Sequence, residues 1–412
     1  MRRVVVTGLG AVTPVGNTVK AMWESLLQGR HGIGPITRFD ASGFRARLAA
    51  EVKGFDPLAY MEKSEARRSD LFTQYALAAA HQAVEDSGVI GTVAPERLVV
   101  CFGSGIGGIL TLVSEHEKLL SQGPRRVSPL LVPMMIGNIA AGQIAIRYGA
   151  KGSCLSVVTA CATSASAIGE AYRLIKHGYA DAAIAGGSEA AVTEISIAGF
   201  ANMTALSTAE NPDEASLPFD RRRSGFVMGE GAGALILEEY EHARRRGAKI
   251  YAEIAGYGST SDAYHITAPD PEGAGCARAI REAFTECGCP EGTIYVNAHG
   301  TGTPLNDAAE TRAIKKALGE RVKDVLVSST KSMTGHMLGA AGAVEAVAAV
   351  LALKTGDIPP TAGLREPDPE CDLDYVPLKA RRAEISAALS VSMGFGGHNA
   401  CLAFIPAGDA TS

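Results

Sequence analysis

The chain has 412 residues, of which 46% are hydrophobic and 20% are charged, so it can bury a large core. Its net charge of −5 argues against a nucleic-acid-binding surface, and its apolar runs are too short to predict a membrane span. The eight cysteines lack the spacing of a disulfide framework or a zinc site. Reduced thiols and the lack of a signal-peptide pattern lead us to expect a cytoplasmic protein.

Strand and helix patterns alternate along the first half of the chain. Leu98–Phe102 predicts a buried strand and leads into Gly103–Gly108, which fits the G-x-G-x-x-G expression. We reject a dinucleotide site because the next strand pattern begins only near Ser156, too far along for a compact βαβ unit. The other predicted elements of this half are strands at Arg3–Thr7, Ala182–Ala185 and Ala234–Leu237, and helices at Val19–Leu27, Ser69–Asp86 and Val132–Tyr148.

One cysteine lies where a strand pattern meets a helix pattern. Ser156–Thr159 has the composition of a buried strand, Ala167–Tyr172 continues as a helix, and Cys161 stands between them. The free N–H groups and the macrodipole of a helix N-terminus lower the pKa of a thiol, which favours a nucleophilic thiolate. The alternative is a buried structural cysteine, and this segment alone does not decide between the two.

Strands and helices alternate again in the second half. A charged helix pattern at Glu238–Arg246 is the best candidate for a junction between the halves. The alternation predicts an α/β fold with a largely parallel sheet and helical layers, while no obvious repeat in the sequence supports a duplication. The predicted strands are Tyr251–Gly258, Tyr295–Ala298, Val325–Ser328, Ala387–Ser392 and Ala400–Phe404, and the helices are Gly273–Glu286, Asp307–Leu318 and Gly339–Lys354.

Three glycine-containing loops of the second half carry polar side chains. His299 closes a predicted strand and enters the loop Asn297–Asp307, and Lys331 and His336 share the next loop. Gly394–Asn399 is a turn whose glycines let backbone N–H groups point at a ligand. With a cysteine nucleophile, two histidines in such loops can donate hydrogen bonds to a developing oxyanion.

These motifs resemble those of the β-ketoacyl-acyl-carrier-protein synthases of the thiolase-like superfamily, most closely the elongating type II synthases. The matching segments stand in the family's order and are TACATS around Cys161, NAHGTGTPLND around His299, KSMTGH around His336 and GFGGHN around Phe395. The resemblance covers nearly the whole chain and implies a five-layered αβαβα fold built from two duplicated halves. We expect residues 1–247 to carry the nucleophile, residues 248–412 to carry the two histidines, and the protein to be a homodimer.

The resemblance also implies a decarboxylative condensation without a cofactor or a metal. Cys161 would take an acyl chain from acyl-carrier protein, and the enolate made by decarboxylation of malonyl-carrier protein would attack it. His299 and His336 would stabilise the enolate oxygen, with Lys331 in the same catalytic set. The amides of Cys161 and Phe395 would form the oxyanion hole. Two carboxylates are expected to support these groups, namely Glu345 and Asp307.

Further positions of the pattern concern substrate binding. Ile106 and Phe200 match positions that line the acyl pocket, and Phe395 matches its gate. Thr204 replaces a frequent arginine of the carrier-binding region, and Val391 replaces a usual asparagine, which argues against a structural cation near Asn297 and Glu345. A basic cluster matches the region that meets the acidic carrier protein, with an ordinary solvated face as its alternative, and consists of Lys63, Arg67 and Arg68.

Four functions compete for these motifs. Elongation of fatty acids in the dissociated system is the leading hypothesis, and a ketosynthase of a polyketide or other specialised pathway is the alternative. A non-catalytic partner subunit typically lacks the cysteine, so the presence of Cys161 argues against it. A degradative thiolase needs a second cysteine at the C-terminal turn, whereas Cys401 lies in the following strand.

Overall fold

The computed structural model describes residues 1–408. Ten strands form one hydrogen-bonded sheet, and two smaller sheets have two short strands each. The strands are β1 Val4–Val12, β2 Gly34–Pro35, β3 Leu48–Ala49, β4 Leu98–Gly103, β5 Cys154–Leu155, β6 Ala182–Glu189, β7 Gly231–Glu239, β8 Ala252–Ser261, β9 Thr293–Asn297, β10 Val325–Ser328, β11 Asp357–Ile358, β12 Arg381–Arg382, β13 Ile385–Gly394 and β14 His398–Ile405. The α-helices are α1 Val19–Leu27, α2 Lys63–Ala66, α3 Leu71–Ser87, α4 Ile109–Gln122, α5 Leu131–Met135, α6 Ile139–Tyr148, α7 Thr163–Lys176, α8 Glu194–Asn202, α9 Tyr240–Arg245, α10 Ala274–Glu286, α11 Pro304–Leu318, α12 Lys331–Thr334 and α13 Ala341–Thr355.

The pairing of strands repeats between the two halves of the chain. In the first half β4 runs parallel to β5 and β6, and β7 runs antiparallel to β6 and β1. In the second half β9 runs parallel to β10 and β13, and β14 runs antiparallel to β13 and β8. β1 and β8 join the halves through three antiparallel residue pairs. The duplication that the resemblance implied is therefore visible in the topology.

The prediction of a largely parallel sheet is wrong, because five of the nine pairs of neighbouring strands are antiparallel. Helix crossovers force parallel pairing only where they connect adjacent strands. β13 and β14 are joined instead by the three-residue turn Phe395–Gly397, which only an antiparallel pair allows. The direction of a strand relative to its neighbour thus depends on which connection joins the two, and the alternation of strands and helices along the sequence does not show this.

Helices α7 and α13 lie between the two halves of the sheet. Ile168 of α7 and Val347 of α13 are fully buried in one hydrophobic cluster with strands of both halves. α3 and α6 cover the first half on its outer side, and α10 and α11 cover the second half, which completes the five layers. The segment Leu338–Thr355 is apolar and long enough to cross a membrane, but 78% of it is buried inside the protein as a central core helix.

The same close contact joins the outer helix to the sheet in each half. A Cβ atom on Gly10 of β1 would lie 1.9 Å from the carbonyl oxygen of Ala79 in α3. A Cβ atom on Gly258 of β8 would lie 1.9 Å from the carbonyl oxygen of Ala279 in α10. Glycine at these two positions lets strand and helix backbones touch, and the repeat of the contact supports the duplication.

The buried helix predicted at Val132–Tyr148 is two helices, α5 and α6. They are separated because Ile136 has an extended backbone. Val132 and Ile146 are 59% and 82% exposed, so the apolar character of this segment did not indicate burial in the single chain.

Candidate active site

Cys161 lies in a single 3-10 turn, Ala160–Ala162, directly before α7. The strand predicted at Ser156–Thr159 is not formed, and Val158 is 58% exposed. The reason is that β5 is the edge of the sheet and pairs with β4 through only two residues, so the chain leaves the sheet early. Ala160 has a φ angle of +49°, a left-handed conformation that a non-glycine residue adopts only when its surroundings impose it.

One cavity of about 90 Å³ brings the predicted cysteine and both predicted histidines together. His299 follows the end of β9, and His336 lies between α12 and α13. The centroids of the two imidazole rings are 5.3 Å apart, the ring planes are nearly perpendicular, and both side chains are buried. The cavity therefore combines a nucleophile from the first half with two imidazoles from the second.

Both histidines are neutral imidazoles. Burial lowers the pKa of His299 and of His336 well below the usual range, and the charge of Lys331 lowers both further. Among residues 1–408, neither Nδ1 atom has a hydrogen-bond partner. Each neutral ring offers one N–H donor and one acceptor nitrogen. The pair can therefore bind an oxyanion through hydrogen bonds without carrying a charge of its own.

The positive charge of Lys331 acts on the cysteine and on both histidines of the cavity. Lys331 forms a buried ion pair with Glu345, and the two side chains are 1% and 2% exposed. Burial raises the pKa of Glu345, and the contact with Lys331 opposes this shift. Ser216 donates a hydrogen bond to the backbone carbonyl of Lys331 at 2.8 Å, which anchors the start of α12.

Burial raises the pKa of the Cys161 thiol to about 12, so the lowered pKa that its position predicted is wrong for the free protein. The charge of Lys331 and the backbone N–H of Phe395, which points at the sulfur, act in the opposite direction without outweighing burial. Apolar side chains, including Phe200 and Phe226, line the same cavity. The thiol is therefore protonated at neutral pH before substrate arrives.

The C-terminal turn lies directly against the nucleophile's turn. A Cβ atom on Gly394 would lie 3.2 Å from the backbone nitrogen of Cys161 and 2.5 Å from the carbonyl oxygen of Thr159. The N–H group of the next residue, Phe395, reaches the sulfur. The two amides assigned to the oxyanion hole are thus close neighbours in space.

Two carboxylates of α11 hold the loop that carries the first histidine. Glu310 accepts hydrogen bonds from the backbone N–H groups of His299 and Gly300 at 2.6 and 2.7 Å. Asp307 accepts one from Gly302 at 3.2 Å. The sequence analysis found Asp307 and missed Glu310, although their spacing of three residues places both on one face of the helix. Burial raises the pKa of Glu310 to about 7.

Aromatic rings form part of the cavity wall. Phe200 lies edge-on to Phe226 at 5.7 Å between centroids and tilted against Phe395 at 6.3 Å. Ile106 does not line this cavity: it is 39% exposed, and its backbone N–H donates a hydrogen bond to Glu189. Polar residues that were not assigned to the pocket from the sequence also line it, and they are Asp262, Thr267, Thr301, Thr303, Asn306 and Asn399.

The predicted docking cations lie at the surface, outside the cavity. Lys63 begins α2, and Arg67 and Arg68 directly follow that helix. All three side chains are exposed, and the neighbouring Glu65 pairs with Arg147 instead. The cluster is therefore available to a negatively charged partner.

Comparison with known proteins places this geometry in a family. The N-terminal domain of β-ketoacyl synthases matches residues 1–243, and the C-terminal domain matches residues 251–365. A 3-oxoacyl-[acyl-carrier-protein] synthase 2 of Synechocystis sp. is 54% identical over 98% of both chains. A protein of the same name from Staphylococcus aureus is 51% identical over 98% of both chains.

Solved structures agree with the sequence matches. The structure titled as the ishigamide ketosynthase/chain length factor has a TM-score of 0.92 and 37% identity, covering 99% of this chain and all of the other. A β-ketoacyl synthase from Burkholderia phymatum has a TM-score of 0.91 and 35% identity with the same coverage. The chain therefore belongs to the β-ketoacyl synthase family.

Proposed function

We propose that the protein condenses acyl-[acyl-carrier protein] with malonyl-[acyl-carrier protein] to 3-oxoacyl-[acyl-carrier protein] and CO2 during type II fatty acid elongation. The observation that carries this proposal is the shared cavity of Cys161, His299 and His336. Relatives named 3-oxoacyl-[acyl-carrier-protein] synthase 2 at 51% and 54% identity support fatty acid elongation over a polyketide pathway, because the ketosynthase solved with a type II PKS acyl-carrier protein is only 35% identical.

The first step transfers the acyl chain to the cysteine. The sulfur of Cys161 attacks the thioester carbonyl, a new C–S bond forms, and the carrier's C–S bond breaks. Because burial keeps the thiol protonated, its proton must leave during the attack. The neutral imidazoles of His299 and His336 can accept it and return it to the departing carrier thiol. The acyl chain then occupies the apolar side of the cavity beside Phe200.

The second step generates the carbanion. The bond between the malonyl carboxylate and its methylene carbon breaks, CO2 leaves, and the electron pair forms an enolate whose oxygen accepts hydrogen bonds from His299 and His336. Neutral rings suit this role, since an imidazolium would give its proton to the enolate and end the reaction. Burial keeps both rings neutral by lowering their pKa, and the charge of Lys331 lowers the pKa of both rings further.

The third step joins the two chains. The enolate carbon attacks the carbonyl of acyl-Cys161, and the amides of Cys161 and Phe395 bind the tetrahedral oxyanion. One such donor typically contributes about 3–4 kcal/mol of transition-state stabilisation. The intermediate collapses with cleavage of the C–S bond, which releases the 3-oxoacyl product and the Cys161 thiolate, and the thiolate takes up one proton from water to restore the thiol. Asp307 and Glu345 act by holding the histidine loop and Lys331 in place.

An acyl carrier protein is the proposed partner. A neighbour at 35% identity and a TM-score of 0.90 is described as a type II PKS acyl-carrier protein in complex with its ketosynthase. We assign docking to the exposed cluster of Lys63, Arg67 and Arg68, since exposed cations attract acidic proteins and steer their approach. Ile106 is assigned to the proposed acyl pocket for acyl chains that are long enough to reach its loop.

A homodimer in the cytoplasm is the proposed state of the protein. Large apolar side chains are exposed on the edge strand β5 and just after it, with Leu155 41% and Val158 58% exposed. An unpaired edge and an apolar patch both favour association with a second copy. Within each chain we place the boundary between the halves at residues 247 and 248, in the segment between α9 and β8.

The proposed function is tested with malonyl-carrier protein and acyl-carrier primers of graded length. We expect mass spectrometry to show one 3-oxoacyl product two carbons longer than each accepted primer. The matched control is Cys289→Ser, which changes an exposed cysteine outside the cavity and away from β5 and should condense normally. Release of CO2 without any 3-oxoacyl product from the unaltered protein would contradict the proposal, and repeated addition of malonyl units to unreduced chains would favour a polyketide pathway.

A further inference from the structure

Glu189, the last residue of β6, makes four hydrogen bonds that the mechanism above does not use. Its fully buried carboxylate accepts from the Ser104 hydroxyl at 2.9 Å and from the backbone N–H groups of Gly105 at 2.9 Å and Ile106 at 3.1 Å. It also accepts from the N–H group of Gly339 at 3.0 Å. The first three donors belong to the loop after β4, and the fourth belongs to the turn before α13.

The segments around this carboxylate meet without room for a side chain. A Cβ atom on Gly339 would lie 2.4 Å from the backbone nitrogen of Gly105. A Cβ atom on Gly105 would lie 3.6 Å from the carbonyl oxygen of Ala160, the residue before the nucleophile. Ala160 and Leu338 have φ angles of +49° and +48°, so both turns are held in conformations that need support from their surroundings.

We propose that Glu189 is a positioning residue of the condensation: its carboxylate fixes the turn after His336 against the loop that borders the turn of Cys161. The inference rests on the proposed function, which gives those two side chains their roles. A carboxylate suits this junction because its two oxygens can accept all four hydrogen bonds. A glutamine would direct its NH2 group at some of these N–H and O–H donors and would lose their hydrogen bonds. The two turns would then shift, and a displacement of catalytic side chains by about 1 Å costs on the order of a hundredfold in rate.

The charge of Glu189 gives the proposal a second readout. It acts to raise the pKa of the Cys161 thiol, as does Glu345, whereas Lys331 lowers it. The other titratable groups that line the cavity with the sulfur are the neutral rings of His299 and His336 and the carboxyl group of Asp262. Replacing Glu189 by an uncharged residue therefore shifts the ionisation of the thiol to lower pH, an effect that a purely structural role for the carboxylate would not produce.

The test compares Glu189→Gln with Glu238→Gln, which alters another fully buried carboxylate that bonds to Thr7 and Arg246 outside the cavity. We measure kcat and KM of condensation, and the pH dependence of Cys161 alkylation by iodoacetamide. Glu189→Gln should lower kcat about tenfold or more with little change in KM, and should move the alkylation midpoint to lower pH. Glu238→Gln should change neither.

Ser104→Ala covers the case in which Glu189→Gln does not fold. It removes one of the four hydrogen bonds, so it should lower kcat by about two- to fivefold with KM retained. A folded Glu189→Gln protein with normal kcat and an unchanged alkylation midpoint overturns the proposal, and so does normal kcat in Ser104→Ala. If the unaltered protein makes no 3-oxoacyl product, the proposed function is wrong instead, and the alkylation midpoint still tests the effect of Glu189 on the thiol.

Discussion

Lys331 is almost completely buried among groups that have also lost their water, so its charge is felt strongly by all of them. It lowers the pKa of His299, His336 and Cys161 together. The charge of Lys331 adds to burial in lowering the pKa of both rings, so the rings are neutral at neutral pH. For the thiol, the same charge partly offsets the rise in pKa that burial causes. In the proposed mechanism, one lysine would therefore act on the acceptor of the proton and on the donors to the enolate at the same time.

Substitution of the nucleophile should separate the two half-reactions. We expect Cys161→Ser to lower condensation about a thousandfold or more, because a hydroxyl is a far weaker nucleophile than a thiol. Cys161→Gln, whose amide imitates an acylated cysteine, should still release CO2 from malonyl-carrier protein without condensing it. Assays of CO2 and of 3-oxoacyl product decide this, and chain elongation by the serine variant would refute the assignment of the nucleophile.

Removal of the lysine charge should move the pH profile of decarboxylation. In the double variant Lys331→Met/Glu345→Gln, an effect that lowers the pKa of His299 and His336 is gone, so both rings take up a proton at higher pH. The acid limb of the rate profile should therefore shift to higher pH, so the variant loses activity on acidification before the unaltered protein does. The matched control is Lys118→Met/Glu115→Gln, which removes an ion pair of α4 outside the cavity. Equal profiles for the two double variants would contradict this role of the lysine.

The sequence indicated Cys161, His299 and His336 through motifs, and the structure brings them into one cavity. The ionisation of the thiol was mispredicted because burial depends on aromatic residues far away in the chain, whereas the helix N-terminus is local. Glu310 was missed for a related reason, since its partners are backbone N–H groups that carry no sequence signal.

At the scale of elements, the two halves use the same contact to attach their outer helix. Gly10 touches the backbone of α3, and Gly258 touches the backbone of α10 in the same way. Side-chain periodicity does not show this contact, because it is made by a missing Cβ atom. Helix positions were therefore predictable from apolar spacing, while the depth of their packing on the sheet was not.

These glycine contacts give a stability prediction. Gly10→Ala and Gly258→Ala should each lower the free energy of unfolding by about 2–4 kcal/mol, because an added Cβ atom would overlap a helix carbonyl. Gly43→Ala is the control, since no atom lies within 4 Å of its added Cβ. Denaturant unfolding measures all three variants, and a Gly10→Ala protein as stable as the control would show that the contact is looser than described.

At the scale of the whole molecule, the alternation of strands and helices predicted an α/β fold with helical layers, and the resemblance supplied the duplicated five-layer arrangement. Composition could not reveal that each half mixes parallel and antiparallel pairs, because this follows from which strands become neighbours. The predicted strand at Ser156–Thr159 failed for the same reason: the segment lies beyond the edge of the sheet, where no strand pairs with it.

The exposed edge also predicts the effect of a charge on assembly. We expect Leu155→Glu to convert a dimer into a monomer, because a buried carboxylate without a partner is costly at an apolar interface. Light scattering coupled to size exclusion measures the mass, and Ile90→Glu, at an exposed position after α3, is the control that should remain dimeric. A dimer that survives Leu155→Glu would place the interface elsewhere.

The cavity is bordered by side chains from both copies of the duplicated unit, with helices α7 and α13 behind it. A compound that fills the cavity must therefore contact both halves of the chain and oppose their separation. Because such a ligand binds only the folded chain, it raises the melting temperature of the entire protein as its concentration increases. Thermal-shift screening can thus detect inhibitors of this centre without carrier protein or any assay of turnover.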